Sequence, residues 1–292
     1  MAAFDKEQSF LINPIQPFWV KNAQRRYLKN TLPDSPVAHF YMFTTGSKDL
    51  DSAVIPDGCV DIVFECSRGS AAAYLCGPVT AYLGIPLQPE TTYFGVRCRP
   101  GILPPVPDVQ LPEILDKRLS LHGTAGMCRY LAEQIAAARN FRERIDIFTK
   151  ALMADYGGWG YPGHNLTAQI LDLIVRRRGC LRIDELSDEL HYSIRYIDKV
   201  FRDRVGINPK YYCRMIRFQT LIQRIRAMDP YKRMKLTELA LEMGYYDHSH
   251  MLKDFKDFTY MSPSEFLGLF GDLQYRSKVY EISYGYSLHE CP

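Results

Sequence analysis

One pattern of side chains occurs twice in the last third of this chain, and the duplication constrains the fold more than any bulk property. Ile183, Glu185, Leu186, Leu190 and Tyr192 are matched in kind by Leu236, Glu238, Leu239, Met243 and Tyr245, 53 residues further on. After one inserted residue the offset is 54. Ile197, Lys199, Phe201, Arg202, Asp203, Ile207, Pro209 and Tyr212 are then matched by Met251, Lys253, Phe255, Lys256, Asp257, Met261, Pro263 and Phe266. Each copy reads as helix, tight turn, helix. Residues 184–190 form a short helix, and Ser193 caps a second over 193–204. Residues 237–243 precede a turn at Gly244, and Asp247 caps a helix over 248–258. Ser and Asp suit those positions because their oxygens accept the orphan N–H groups of a helix start. A generic helical bundle would explain the apolar periodicity of either copy, but not the repetition.

Within each second helix, Ile197 with Phe201 and Met251 with Phe255 lie four apart and face inward. The opposite faces carry Arg195, Tyr196, Asp198, Lys199 and Arg202 in the first copy. In the second they carry His248, Ser249, Leu252, Lys253 and Lys256. Between the copies, Asn208-Pro209 opens a helix whose apolar positions Tyr211, Met215, Phe218, Ile222 and Ile225 step by threes and fours. About 20 residues of helix span roughly 30 Å, against about 34 Å for one turn of B-DNA. A rod of this length sets two such helices into successive major grooves on one side of a duplex. An opening helix (Leu166, Ile170, Leu173, Ile174) ends at Arg176-Arg177-Arg178-Gly179, where basic residues suit the helix dipole and glycine the left-handed cap. Charge agrees modestly: residues 165–270 hold 18 Lys+Arg against 14 Asp+Glu, whereas residues 1–164 hold 16 of each. The first copy offers the stronger charges, so it is expected to hold more of the sequence specificity.

Residues 157–164 carry four glycines and a proline, which sustain neither helix nor strand, and mark a linker. Before it, residues 1–122 read as a β-rich domain. Strands are expected at residues 37–44, 59–66, 71–76 and 92–98, punctuated by Pro56-Asp57-Gly58 and Pro100-Gly101, at a spacing that suggests a small barrel or sandwich. Residues 123–156 become helical, with Met127, Tyr130, Leu131 and Ile135, then Ile145, Phe148 and Leu152, as apolar stripes that either pack on the barrel or form a dimer face. Residues 271–292 read as a tail. The first ten residues lack an apolar signal segment and no stretch is long and apolar enough for a membrane span, so a soluble, cytoplasmic protein without membrane contact is expected. The eight cysteines show no CxxC and no zinc spacing, and read as reduced, mostly buried thiols.

Residues 165–270 resemble the DNA-binding domain of AraC/XylS-type bacterial transcriptional regulators. The carriers are Leu186 to Ser193, Ile197 with Lys199, Phe201 and Arg202, and Gly206 through Pro209. In the second copy they are Glu238-Leu239-Ala240, Gly244-Tyr245, Asp247-His248-Ser249-His250, Phe255-Lys256 and Ser262-Pro263. Three departures stand out: Met251 for a bulky aromatic or leucine, Phe266-Leu267 for a Tyr-Arg ending, and Tyr260 for a glycine. The last implies that the second recognition helix ends differently from the one ending at Gly206. Pro56-Asp57-Gly58-Cys59-Val60-Asp61 and Gly95 through Gly101 resemble, more faintly, the N-terminal module of a subset of these regulators.

The resemblance implies an α+β multidomain protein: a cupin-like β-barrel sensory or dimerisation domain, a helical linker, then an all-α tandem helix-turn-helix domain. It implies a non-enzymatic, sequence-specific regulator of transcription that binds double-stranded DNA. A small-molecule effector, a second copy of the chain, and RNA polymerase for an activator are the further partners of this class. Asp61, Arg97 and Arg99 either orient an effector or form a buried charge network that braces turns. Two other readings stay open. The β domain could serve assembly alone, or the protein could be a metal- or redox-sensing or methyl-accepting enzyme-like regulator. Against the latter, Cys59, Cys66, Cys76 and Cys98 are irregularly spaced, and His248-x-His250 lacks the spacing of a helical metal pair. No cofactor, metal or catalytic residue is expected.

Overall fold

The computed structural model describes residues 14, 16–32, 35–47, 50–67, 70–104, 106, 109–121, 125–155, 165–227, 235–270 and 273–284. The 157–164 linker lies outside the described residues. The N-terminal half runs α1 (Pro17–Asn22), β1 (Ala23–Thr31), β2 (Val37–Thr45), β3 (Leu50–Val54), β4 (Asp61–Ser67), β5 (Ser70–Cys76), β6 (Leu83–Leu87) and β7 (Thr92–Cys98). A 3-10 turn (Leu111–Ile114), β8 (Arg118–Ser120), α2 (Ala125–Ala137) and α3 (Phe141–Asp155) complete it. The rest is helical: α4 (Leu166–Arg176), α5 (Ile183–Leu190), α6 (Ile194–Val205), α7 (Pro209–Ala227), α8 (Leu236–Glu242), α9 (His248–Thr259), α10 (Pro263–Phe270) and α11 (Leu273–Ser277). A short strand, β9 (Val279–Glu281), ends it.

The β-rich half is an open seven-stranded sheet, ordered β8-β5-β4-β7-β2-β1-β9, with a separate two-stranded ribbon of β3 and β6. The expected barrel is therefore not closed: three-residue strands form both edges of the large sheet and do not pair with each other. Alternation along the strands buries both faces. On one side Phe40, Phe64 and Phe94 meet α2 and α3 through Ile135, Phe141, Ile145 and Phe148. The helices thus pack on the sheet, although Tyr130, read as part of their stripe, is 63% exposed. The side chains of Met127 and Leu152 lie outside the described residues. On the other side Tyr27, Tyr41, Phe43 and Tyr93 face Trp19 of α1 and the β3–β6 ribbon. Gly95 is opposite Tyr41 in register, and a Cβ there would sit 1.8 Å from the Tyr41 ring. Only glycine lets that ring lie flat across the sheet.

The strand β9 pairs in parallel with β1, so the chain returns from the last helices to the edge of the N-terminal sheet. Asn30 donates to the carbonyl of Ile282 at 2.6 Å and Lys278 to that of Ala23 at 2.8 Å, fixing this return.

Candidate nucleic-acid interface and the cavity behind it

Each helix-turn-helix unit is built by its caps. The Ser193 hydroxyl accepts from the Tyr196 amide at 3.3 Å to start α6, and the Asp247 carboxylate accepts from the His250 amide at 2.7 Å to start α9. The turn uses left-handed backbone at His191 (φ 58°) and Gly244 (φ 74°). These residues are 53 apart whereas the caps are 54 apart, so the inserted residue lies between turn and cap. Accordingly Tyr245 is buried, while Tyr192 and Tyr246, each just before its cap, are exposed. The ends correct one expectation. Tyr260 stops α9 as Gly206 stops α6, in left-handed backbone (φ 56° and 82°), each amide donating to the carbonyl four residues back. A non-glycine residue accepts this at a cost of about 1–2 kcal/mol, and here the Tyr260 ring packs on Tyr82 at 5.2 Å.

Ile197, Phe201, Met251 and Phe255 are fully buried. On the opposite faces Arg195, Tyr196, Lys199, Arg202, His248, Ser249, Lys253 and Lys256 are exposed, and Asp198 and Leu252 are half-buried. Asp198 accepts from Arg202 at 2.7 Å, so the pair presents one oriented guanidinium. Arg195 and Lys199 have no ion-pair partner among the described residues. Leu252 packs against the core of its unit. Sequence reasoning missed Asp254, buried on the inner face of α9 and held by Arg214 of α7 at 2.7 and 3.0 Å. The corresponding position of the first unit is Val200. The connecting helix α7 has 19 residues, about 28 Å at 1.5 Å each.

The back of this helical domain rests on the β-rich half. Gln219 of α7 donates to the Pro56 carbonyl at 2.8 Å, and the Tyr211 hydroxyl donates to the Thr80 carbonyl. A Cβ on Gly58 would lie 3.0 Å from the Tyr212 ring. One on Gly206 would lie 3.5 Å from Pro112. Phe18 meets Phe270 edge-on at 5.0 Å.

Between the large sheet and the ribbon lies a cavity of about 180 Å³, extended by an adjoining one of about 30 Å³ toward Tyr41, Phe43 and Tyr93. Its walls include Trp19, Val54, Val79, Leu83 and Ile85, with Asp57, Asp61 and Arg97 as buried polar groups and Lys117 and Arg118 as further cations. Arg97 donates to both Asp61 oxygens at 3.0 and 2.7 Å and to Asp57 at 2.6 Å, beneath the Trp19 ring at 5.1 Å. Gln16 also donates to Asp57, at 2.8 Å. Burial would push the guanidinium pKa down, but Asp57 and Asp61 outweigh it and hold Arg97 charged. Burial raises the Asp61 pKa, and Arg97 opposes that rise. Two of the three candidates thus meet at the cavity. Arg99 does not: it donates to the carbonyls of Ser35 at 2.5 Å and Leu32 at 2.8 Å, away from the cavity. Asp57, Gln16 and Trp19 were not singled out from sequence; Asp57 lay within a turn motif whose glycine and proline explained it already.

A family model described as a helix-turn-helix domain matches residues 186–268, and one described as a domain of unknown function matches residues 32–120. No curated protein matches the chain. Among solved structures, ToxT from Vibrio cholerae is 13% identical over 79% of this chain and 97% of its own, with a TM-score of 0.43. A structure of unsaturated fatty acid bound ToxT is 14% identical over 85% and 96%, at 0.42. CdpR from Pseudomonas aeruginosa is 17% identical over 61% and 45%, at 0.31. With its duplicated caps, turns and outward faces, residues 186–268 form an AraC-type helix-turn-helix domain. The chain thus carries that domain behind a β-rich N-terminal half, whose residues 32–120 match the domain of unknown function.

Proposed function

We propose that this chain regulates transcription by placing α6 and α9 in successive major grooves of double-stranded DNA, and that a small molecule in the cavity alters that grip. The observation that carries the coupling is that the cavity walls and the supports of the DNA-binding domain are the same loops. Asp57 and Cys59 line the cavity, while Pro56 and Gly58 between and beside them touch α7. Gly77, Val79 and Leu83 line it, while Thr80 and Tyr82 touch α7 and Tyr260. Lys117 and Arg118 line it, and the preceding Pro112 lies against the end of α6. A ligand that redistributes the Asp57–Arg97–Asp61 contacts therefore acts one loop away from all three helices that set recognition geometry.

In this reading Arg195, Tyr196, Lys199 and the Asp198-oriented Arg202 read the first half-site. His248, Ser249, Leu252, Lys253 and Lys256 meet the second, with Asp61 and Arg97 orienting the effector. A second copy, and RNA polymerase for an activator, are the further partners it implies. The test uses the full chain and a duplex recovered by selection from a randomised pool. Arg195→Ala weakens that duplex by about 1–3 kcal/mol and random DNA by less, and Lys253→Ala has the smaller effect on specificity. A bound effector changes DNA affinity about 5–150-fold. If no compound in a metabolite screen shifts either melting or DNA affinity, the β-rich half serves assembly alone.

A further inference from the structure

Exposed large apolar side chains recur beside both recognition-helix caps. Of the nine large ones among the described residues, Tyr192, Ile194, Tyr196 and Tyr246 lie within three residues of the caps Ser193 and Asp247. Tyr246 is 88% exposed and Tyr192 44%. The one-residue slip between the units makes these two tyrosines structural equivalents: each directly precedes a recognition-helix cap, and the inserted Tyr245 turns inward. Both are placed by fixed backbone. The Ser187 hydroxyl donates to the Tyr192 carbonyl at 2.6 Å, and the Tyr192 ring stacks on Tyr196 at 5.4 Å. Tyr246 sits between Tyr245, anchored in the core, and the Asp247 cap. Neither hydroxyl has a partner among the described residues.

A single exposed tyrosine is ordinary on a protein surface and by itself signals nothing. Repeated at the same point of both units, it has a use outside the chain. We infer that Tyr192 and Tyr246 are positioning residues for DNA, each donating its hydroxyl to a backbone phosphate at the rim of the groove its recognition helix enters. The inference rests on the DNA-binding reading above. Residues before the cap lie outside the helix that reads base edges, so the sugar–phosphate wall is the surface they meet. Tyrosine is among the side chains that bind phosphate and set register without reading sequence. Two such contacts, one per unit, would fix both helices relative to the duplex.

The experiment measures binding of the intact chain to fluorescein-labelled duplexes of about 30 base pairs, one recovered by selection and one random, across a salt series. Variants are Y192F, Y246F, their double variant, the matching alanine variants, and Y130F and Y280F as exposed controls, all checked by circular dichroism. Each phenylalanine variant at 192 or 246 should lose about five- to tenfold on both duplexes, as a single hydroxyl-to-phosphate bond predicts. Alanine should lose no less, and the controls nothing. The salt slope should stay unchanged, since tyrosine displaces no counterion. Phenylalanine variants that bind like wild type overturn the proposal, as does a loss confined to the selected duplex. Wild-type protein that binds no duplex overturns the DNA-binding reading and this proposal with it; wild-type binding with unaffected variants overturns this proposal alone.

Discussion

In the first helix-turn-helix unit, Ile170, Ile174, Leu186, Ile197, Phe201 and Val205 close on one another and on Tyr212 and Met215 of α7, with Leu115 of the β-rich half at the margin. In the second, Leu239, Met251, Phe255, Phe258, Phe266 and Phe270 belong to one cluster with Phe18, Trp19, Tyr41, Tyr93 and Val79. The units therefore share a pattern of side chains while resting on different things. The first has a core of its own. The second is packed into the aromatic layer that lines the cavity, and is held further by Tyr82 on Tyr260 and by the return of β9 to β1. In the proposed function a change in the cavity would reach the second unit through this shared packing and the first through the loops at Pro56 and Pro112. On the proposed function, regulation and specificity would be divided accordingly: the unit with the stronger charges keeps a separate core, although the end of α6 still rests on Pro112.

The largest expected consequence follows from removing the β-rich half. In a fragment beginning at residue 165, hydrogen exchange should leave α4 and α6 protected and expose α9 and α10, which lose one side of their core. Equal protection of α6 and α9 would erase the contrast. Next comes Arg97→Ala, which strands Asp57 and Asp61 as buried carboxylates and should cost about 3–5 kcal/mol in denaturant unfolding. By the shared cluster, the amides of α9 should lose more protection than those of α6.

A third effect is in pH. Burial first, then the positive charges of Lys29, Arg97 and Arg99, hold the His39 pKa well below 6.5. The stability gained by keeping His39 neutral is complete above the unfolded value and is lost as pH falls below it toward the folded one. The loss is about 1.4 kcal/mol per pH unit. Melting between pH 7 and 5 should show this slope for the wild type and a flatter one for His39→Asn; identical slopes would remove His39 from the account. The smallest effect compares the two left-handed caps. Gly206→Ala should destabilise by about 1 kcal/mol. In Tyr260→Gly, relief of backbone strain offsets the lost contact with Tyr82, so its melting temperature should stay close to that of the wild type.

The recognition helices were legible because their signals are local. Ser193 and Asp247 accept from amides three residues on, and Ile197 with Phe201 or Met251 with Phe255 declare an inner face within one turn. Strands β2, β4 and β7 were legible for the same reason, being aromatic and branched runs between turns, and alanine-rich β5 from the turn before it. Strand β1 was not, because Arg25 and Arg26 on its open side mask the buried Ala23, Tyr27 and Asn30. Nor was β6, with Gly84 and Pro86 inside it, or β9, three residues that become a strand only against β1. The Gly206 cap was legible from its residue type; the Tyr260 cap was not, because its neighbours rather than its own preference set the backbone.

By itself the sequence determined the two capped helix-turn-helix units, the α7 spacer between them and the outward charges, since each depends on residues a few positions apart. Only the tertiary structure decided that the sheet stays open, that Asp57 joins Asp61 on Arg97 while Arg99 turns away, and that the second unit shares its core with the cavity. Those outcomes depend on side chains brought together from 36 to more than 200 positions apart. Such contacts leave no period in the sequence, because which partner a buried face meets is settled by shape and charge once the elements have formed.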